Sequence, residues 1–408
     1  VSVGFGINGS VGGYFNGIWT TVTVCAPGTT NCQTVDNVLV DTGSQGLRIL
    51  SSALNATVAG SLGSIQNSGT QLQECVQFAS TDYAWGSMLA ADVEIAGEKA
   101  SSLPIQVIGY NTSPVPAQCL AVPVNPNLPN GGNDDTVAAL GGNGILGIGA
   151  FGYPWDCGSG CTSESNLTTA GYPYYLCPTG EACAATTVPY QSPDYQATNP
   201  IVLFSSSDNN GVLITLPSIA ANGAADGTVS GSLIFGIGTQ SNNALASSAT
   251  VYALDQYGNI PEITYNGFQY SSPNNTIVLD TGSEVLEILD ANTLASVGIS
   301  ECADAPGYYC PTNSVSFSMT APEANNTLGT LTFNIMNADT LFATGNAAFN
   351  DIGGDGGTSA STDDLDFGLP FFFGKTVYVG MGPGLYSNET GPPSAASETL
   401  APYGYYAF

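Results

Sequence analysis

The chain contains no histidine at all and only three cations, and few of its segments sustain a helical apolar period. Without an imidazole, Ser-His-Asp catalysis, Cys-His catalysis and the common zinc sites are all excluded. Carboxylates, hydroxyls and thiols are the chemistry left. Arg48, Lys99 and Lys375 stand against 32 acidic residues, a net charge of −29. Nothing in such a chain could neutralise phosphates, so nucleic acid is excluded as a partner. At neutral pH the chain repels itself, and protonation of carboxylates relieves that repulsion, which suits an acidic environment. The plainer reading is that surface acids keep an extracellular protein soluble. No apolar stretch approaches the roughly 20 residues that a membrane-spanning helix requires.

What is present reads as an all-β protein. Leu, Ile, Val, Phe and Tyr come in short runs broken by Gly, Pro, Asn and Ser. A length of 408 residues fits two lobes of about 200 residues each. The small-residue stretch from Ala220 to Gly227 places the lobe boundary near 225, giving lobes over 1–225 and 226–408. Between them, Ile201–Phe204, Val212–Leu216 and Ser232–Ile237 are expected as strands that join the lobes. The best helix candidate is Asp290–Val297.

The ten cysteines fall into near neighbours: Cys25 with Cys32, Cys157 with Cys161, Cys177 with Cys183, and Cys302 with Cys310, leaving Cys75 with Cys119. An even count in local pairs, none with CxxC spacing, predicts disulfides rather than a metal site. Four of these cysteines lie in residues 150–199, which show neither helical nor strand period and read as a stapled surface insertion. Sequons at Asn8, Asn55, Asn111, Asn166, Asn274, Asn325 and Asn388 fit an exported glycoprotein, secreted or held at the cell surface or in a periplasm. A start at Val1 rather than Met fits removal of a signal peptide.

The most informative feature is an internal repeat. Residues 38–50 read VLVDTGSQGLRIL and residues 277–289 read IVLDTGSEVLEIL. In each copy an apolar strand is broken by Asp-Thr-Gly, a turn in which glycine tolerates unusual backbone angles, and apolar residues then resume. A carboxylate is thereby held at the end of a rigid strand. Each copy is followed at long range by an apolar segment interrupted by glycine, NGILGIG over 143–149 and DFGLPFFFG over 366–374.

These two DTGS motifs with their later glycine segments resemble the pepsin-like aspartic proteases. Further likenesses are YAWGSM over 83–88, similar to the family's flap hairpin, and GSLIFG over 231–236, similar to the strand that opens its second lobe. The chain is also similar to an exported bacterial family that shares the motifs and has no assigned function. The resemblance implies a bilobal acid-protease fold with a central cleft, a catalytic pair of Asp41 and Asp280, and no metal or cofactor. It implies supporting roles for Thr42, Gly43, Ser44, Thr281, Gly282 and Ser283. It places Tyr83 as the residue covering the substrate, with Trp85 as rival and Gly86 beside them. Arg48 stands where the family commonly has a tryptophan, and is expected to pair with Glu284 or Glu287.

Two carboxylates brought face to face cannot both ionise cheaply, so they share a proton and titrate as a coupled pair. That arrangement suits acid hydrolysis of a polypeptide substrate. The alternative is a non-catalytic scaffold acting as a binding module or as a subunit of an extracellular assembly or filament. The apolar segment Val1–Ile7 is expected either as an added strand within its own lobe or as a strand that pairs with the edge of a neighbouring subunit in self-assembly.

Overall fold

The computed structural model describes residues 1–7, 13–78, 80–110, 113–120, 131–152, 174–179, 181–188, 194–288, 291–354, 364–382 and 401–408. The all-β class expected from the sequence is the one adopted. A thirteen-stranded sheet is built mainly from the first half of the chain, and sheets of five, four and four strands are built from residues 211–407.

The repeat in the sequence is a repeat in the structure. Strand Cys32–Asp41 pairs in parallel with Gly144–Ile148, which pairs antiparallel with Gln45–Leu50. In the second half, Ile277–Leu279 pairs in parallel with Leu365–Phe367, which pairs antiparallel with Leu286–Ile288. The registers match: Val40 faces Leu146 as Leu279 faces Phe367. Cys32–Asp41 lies inside its sheet and Ile277–Leu279 is the outer strand of its own, but the last residues of both are buried or half-buried on each face, so they read as continuous apolar runs rather than as alternation. Val38, Val40, Ile277 and Leu279 are all fully buried. One apolar core, containing Val40, Leu146, Leu279 and Phe367, runs from one unit to the other.

The later glycines allow the turns to wrap tightly. A Cβ on Gly147 would stand 2.7 Å from the Gln45 backbone, and one on Gly368 would stand 2.0 Å from the Val285 carbonyl oxygen. No side chain fits at such distances.

Some expectations need correction. Residues 200–203 form a 3-10 turn, Pro200–Leu203, instead of a strand. Asn199 caps it by accepting from the Ile201 N–H, and Pro200 sits in its first turn, where its missing N–H costs nothing. The insertion is not all surface. Tyr174–Leu176 adds a strand to Thr70–Gln77, and Tyr174 and Tyr175 are buried. The helix near 290 covers Ala291–Ser296.

The N-terminal strand Ser2–Gly4 is paired on both edges within the chain, to Gly17–Cys25 and to Val229–Ser230. Sheet membership also crosses residue 225, because Gly211–Thr215 pairs with Thr376–Met381. A division into lobes at 1–225 and 226–408 is our proposal.

Four disulfides are formed among the described residues: Cys25–Cys32, Cys75–Cys119, Cys177–Cys183 and Cys302–Cys310. Cys157 and Cys161 lie outside the described residues, as do Asn8, Asn111, Asn166 and Asn388. The remaining sequon asparagines, Asn55, Asn274 and Asn325, are exposed. No described helix is long and apolar enough to cross a membrane.

Cys75–Cys119 spans 44 residues of sequence and Cys25–Cys32 only 7. Loop entropy therefore predicts that replacing the first pair with alanine costs about 4 kcal/mol, and the second about 2.5 kcal/mol. Urea midpoints of the two double variants should fall in that order.

Candidate active site

Asp41 is the last residue of its strand, and Asp280 directly follows Leu279 at the end of the other. What brings them together is a reciprocal set of bonds through the adjoining threonines. The Thr42 N–H donates to Thr281 Oγ1 at 3.1 Å, and the Thr281 N–H donates to Thr42 Oγ1 at 3.0 Å. Each hydroxyl then donates onward across the divide, Thr42 to the Leu279 carbonyl at 2.8 Å and Thr281 to the Val40 carbonyl at 2.7 Å. Both threonines are buried, so all four bonds are shielded from water.

The carboxylates sit above this lattice in a cradle of backbone donors. Asp41 Oδ1 accepts from the N–H of Gly43 at 2.8 Å and of Ser44 at 3.2 Å, and Asp41 Oδ2 accepts from the Ser44 hydroxyl. Asp280 Oδ1 accepts from the N–H of Gly282 at 2.6 Å and, across the pair, of Gly43 at 3.1 Å. The glycines are required by space. A Cβ on Gly43 would lie 2.3 Å from the Asp280 carboxyl carbon, and one on Gly282 would lie 2.7 Å from Asp41 Oδ1. Asp41 is buried, Asp280 is half-buried and Gly43 is exposed, so the pair opens outward on one side.

Burial raises the Asp280 carboxyl well above the usual carboxylate range. The charge of Asp41 and the hydrogen bond between the two carboxyls add to this, against the Gly282 N–H and the Ser283 hydroxyl. A proton is thus held in the pair through pH values at which an isolated aspartate has lost it.

Tyr14 and Asp366 were not singled out from the sequence, and Glu284 was named there only as a partner for Arg48. The Tyr14 hydroxyl donates to the Gly282 carbonyl. Burial raises the Tyr14 phenol, and Glu284, Asp280, Asp41 and Asp366 raise it further. Glu284 follows the second motif, accepts from the Phe15 N–H at 2.6 Å and is pushed up to about 8 by burial. Asp366 is a third carboxyl beside the pair, reached through Ser283. Its signal in the sequence was a lone acid in an otherwise apolar segment, at the place taken by Ile145 in the first copy.

Arg48 corrects an expectation. It pairs with Glu74 at 3.1 Å, both side chains being buried, rather than with Glu284 or Glu287. It also donates to the Gln45 carbonyl, while the Tyr174 hydroxyl reaches Glu74 at 3.3 Å. Burial outweighs the guanidinium and raises Glu74 above its ordinary value. The pair knits Gln45–Leu50 to the hairpin strand Thr70–Gln77.

Tyr83, Trp85 and Gly86 lie on the strand Tyr83–Ile95 that returns from this hairpin. Trp85 is buried with Cys75, Cys119 and Tyr175, and its indole N–H donates to the Ser113 carbonyl at 2.9 Å. Tyr83 belongs to the same cluster, and burial and Asp135 raise its phenol. A Cβ on Gly86 would stand 2.3 Å from the Val107 carbonyl oxygen, so its role here is close strand packing.

Thr42→Val strands the Thr281 N–H and the Leu279 carbonyl, for an expected loss of about 2 to 4 kcal/mol. Thr281→Val should cost the same, and the double variant should cost less than the sum, because both act on one network. Denaturant midpoints test this. Stability should also fall as pH rises. Between the ordinary 4.5 and about 8, folded Glu284 holds a proton that the unfolded chain has released. Glu284→Gln should therefore flatten the decline in urea midpoint between about pH 5 and 8.

No curated protein matches the sequence. Among solved structures that the chain resembles is the crystal structure of an aspartic proteinase from Irpex lacteus. The likeness has a TM-score of 0.48 at 15% identity and covers 96% of this chain and 94% of that one. A family described as proteins of unknown function, DUF3443, matches residues 1–395, and the chain belongs to that family.

Proposed function

We propose that the protein is an aspartic endopeptidase that hydrolyses polypeptides at acid pH. The observation that carries this reading is the facing pair Asp41 and Asp280, held by the reciprocal Thr42 and Thr281 bonds with Gly43 donating to both carboxyls. The ionised member of the pair takes a proton from a water bound between them, and that water attacks the peptide carbonyl. The protonated member hydrogen-bonds the carbonyl oxygen as negative charge develops there. Ser44 and Ser283 orient the outer carboxyl oxygens, and Thr42, Gly43, Thr281 and Gly282 fix the separation. Tyr83 is proposed as the residue that folds over the substrate. The described disulfides and the exposed sequon asparagines support an exported glycoprotein.

A second reading, a non-catalytic scaffold that binds a partner or builds an extracellular assembly, is favoured by one observation. Both candidates for covering the substrate, Tyr83 and Trp85, are packed into the buried disulfide cluster.

Cleavage of an unfolded protein substrate between about pH 2 and 6 separates the two. Activity with an acid optimum, lost by at least about a hundredfold in both Asp41→Asn and Asp280→Asn, is the expected result. A native chain that stays folded and cuts nothing at any pH in this range would select the scaffold.

A further inference from the structure

The two copies of the motif are alike in backbone and unlike in proton chemistry. In the first copy, Ile145 is paired across the strand with Arg48. In the second copy, Asp366 is paired with Glu287 at the corresponding place. An apolar residue beside one aspartate is thus a carboxyl beside the other. The serines differ accordingly. The Ser44 hydroxyl has one carboxyl partner, Asp41. The Ser283 hydroxyl has two, Asp366 Oδ2 at 2.6 Å and Asp280 Oδ2 at 3.1 Å.

A hydroxyl has a single hydrogen, so Ser283 can donate to only one of them. The shorter contact is to Asp366. Asp280 Oδ2 then faces a lone pair of the Ser283 oxygen, a contact that is attractive only when Asp280 itself carries a proton to donate. Each Oδ1 accepts from two N–H groups, so the two aspartates differ at Oδ2, where Ser44 has no second carboxyl to serve.

No cation offsets the asymmetry. The groups that face this corner are Asp41, Glu284 and Glu287, with the phenols of Tyr14 and Tyr406. Arg48 is taken by Glu74, Lys99 by Asp92, and Lys375 by the Phe371 carbonyl.

We propose that Asp366 is a positioning residue for the pair: it draws the Ser283 hydrogen away from Asp280, so that Asp280 keeps the shared proton as the acid and Asp41 is the base. The roles of two aspartates in near-identical motifs are thereby set by a residue more than eighty positions from either of them in sequence. The raised proton affinity of Asp280, burial being its first cause, agrees with this; the diversion operates while Asp366 is ionised, since a protonated Asp366 would donate to the Ser283 oxygen and leave its hydrogen to Asp280.

The proposal rests on the two-carboxyl reading above, and its test does not need turnover. The probe is the carboxyl 13C resonances of the aspartate-labelled full chain, titrated with pH and assigned by D41N and D280N. Asp366→Ile, which installs the residue of the first copy, frees the Ser283 hydrogen for Asp280. The Asp280 midpoint should then fall by about one pH unit, tenfold in proton affinity. Ser283→Ala leaves Asp366 in place and should not raise the Asp280 midpoint. An unchanged or higher Asp280 midpoint in D366I overturns the proposal, as does a rise of about one unit in S283A. If D366I does not fold, S283A decides alone. A chain that cuts no peptide but shows these shifts removes the peptidase reading and leaves the diversion standing; cleavage without the shifts does the reverse.

Discussion

Everything at this site depends on two threonines that exchange hydrogen bonds across the molecule. Thr42 and Thr281 are each donor and acceptor to the other strand, so neither motif has its full set of bonds without the other. A lone Asp-Thr-Gly turn would leave a buried hydroxyl and a buried N–H without partners, at a cost comparable to a lost hydrogen bond each. The repeated strands, the glycines that let their turns wrap, and the continuous core beneath them serve to present those four groups at one level. The two carboxyls are close because the threonines have to be.

Closeness of like charges is the second constraint, and the chain does nothing to relieve it with cations. The buried guanidinium of Arg48 is spent on Glu74, below the hairpin. Around Asp280 the neighbours are acids and phenols, and burial, not ion pairing, governs their titration. The low cation content seen in the sequence thus has a local meaning: protons occupy the place that counter-ions take in other buried acidic sites.

The repeat made the fold legible because each copy carried its whole physical pattern within thirteen residues: apolar strand, acid, turn glycine, apolar strand. The paired glycine segments were legible for the same reason, and fell in matching register. Arg48 was misplaced because its partner, Glu74, is set by the packing of a hairpin against a neighbouring strand, which no local spacing encodes. Ile201–Phe204 has strand composition, and the cap from Asn199 with Pro200 turned it the other way. Asp366 and Tyr14 were passed over because each becomes part of the site only through a contact with the second motif, made from a distant segment.

The arm at residues 14–16 has a consequence for how such a chain comes into being. Phe15 fills a pocket among Phe342, Phe349 and Tyr308, and the Asn16 side chain bonds to the Phe349 backbone, 333 residues away along the chain. These residues can reach their places only when the segment that carries Tyr308, Phe342 and Phe349 is in place. A chain cut before residue 366 would hold both aspartates and the aromatic pocket, but not the strand Leu365–Phe367 on which the second motif is paired. Assembly of the site thereby waits on segments far apart along the chain, with residues 14–16 acting as the clasp that closes it.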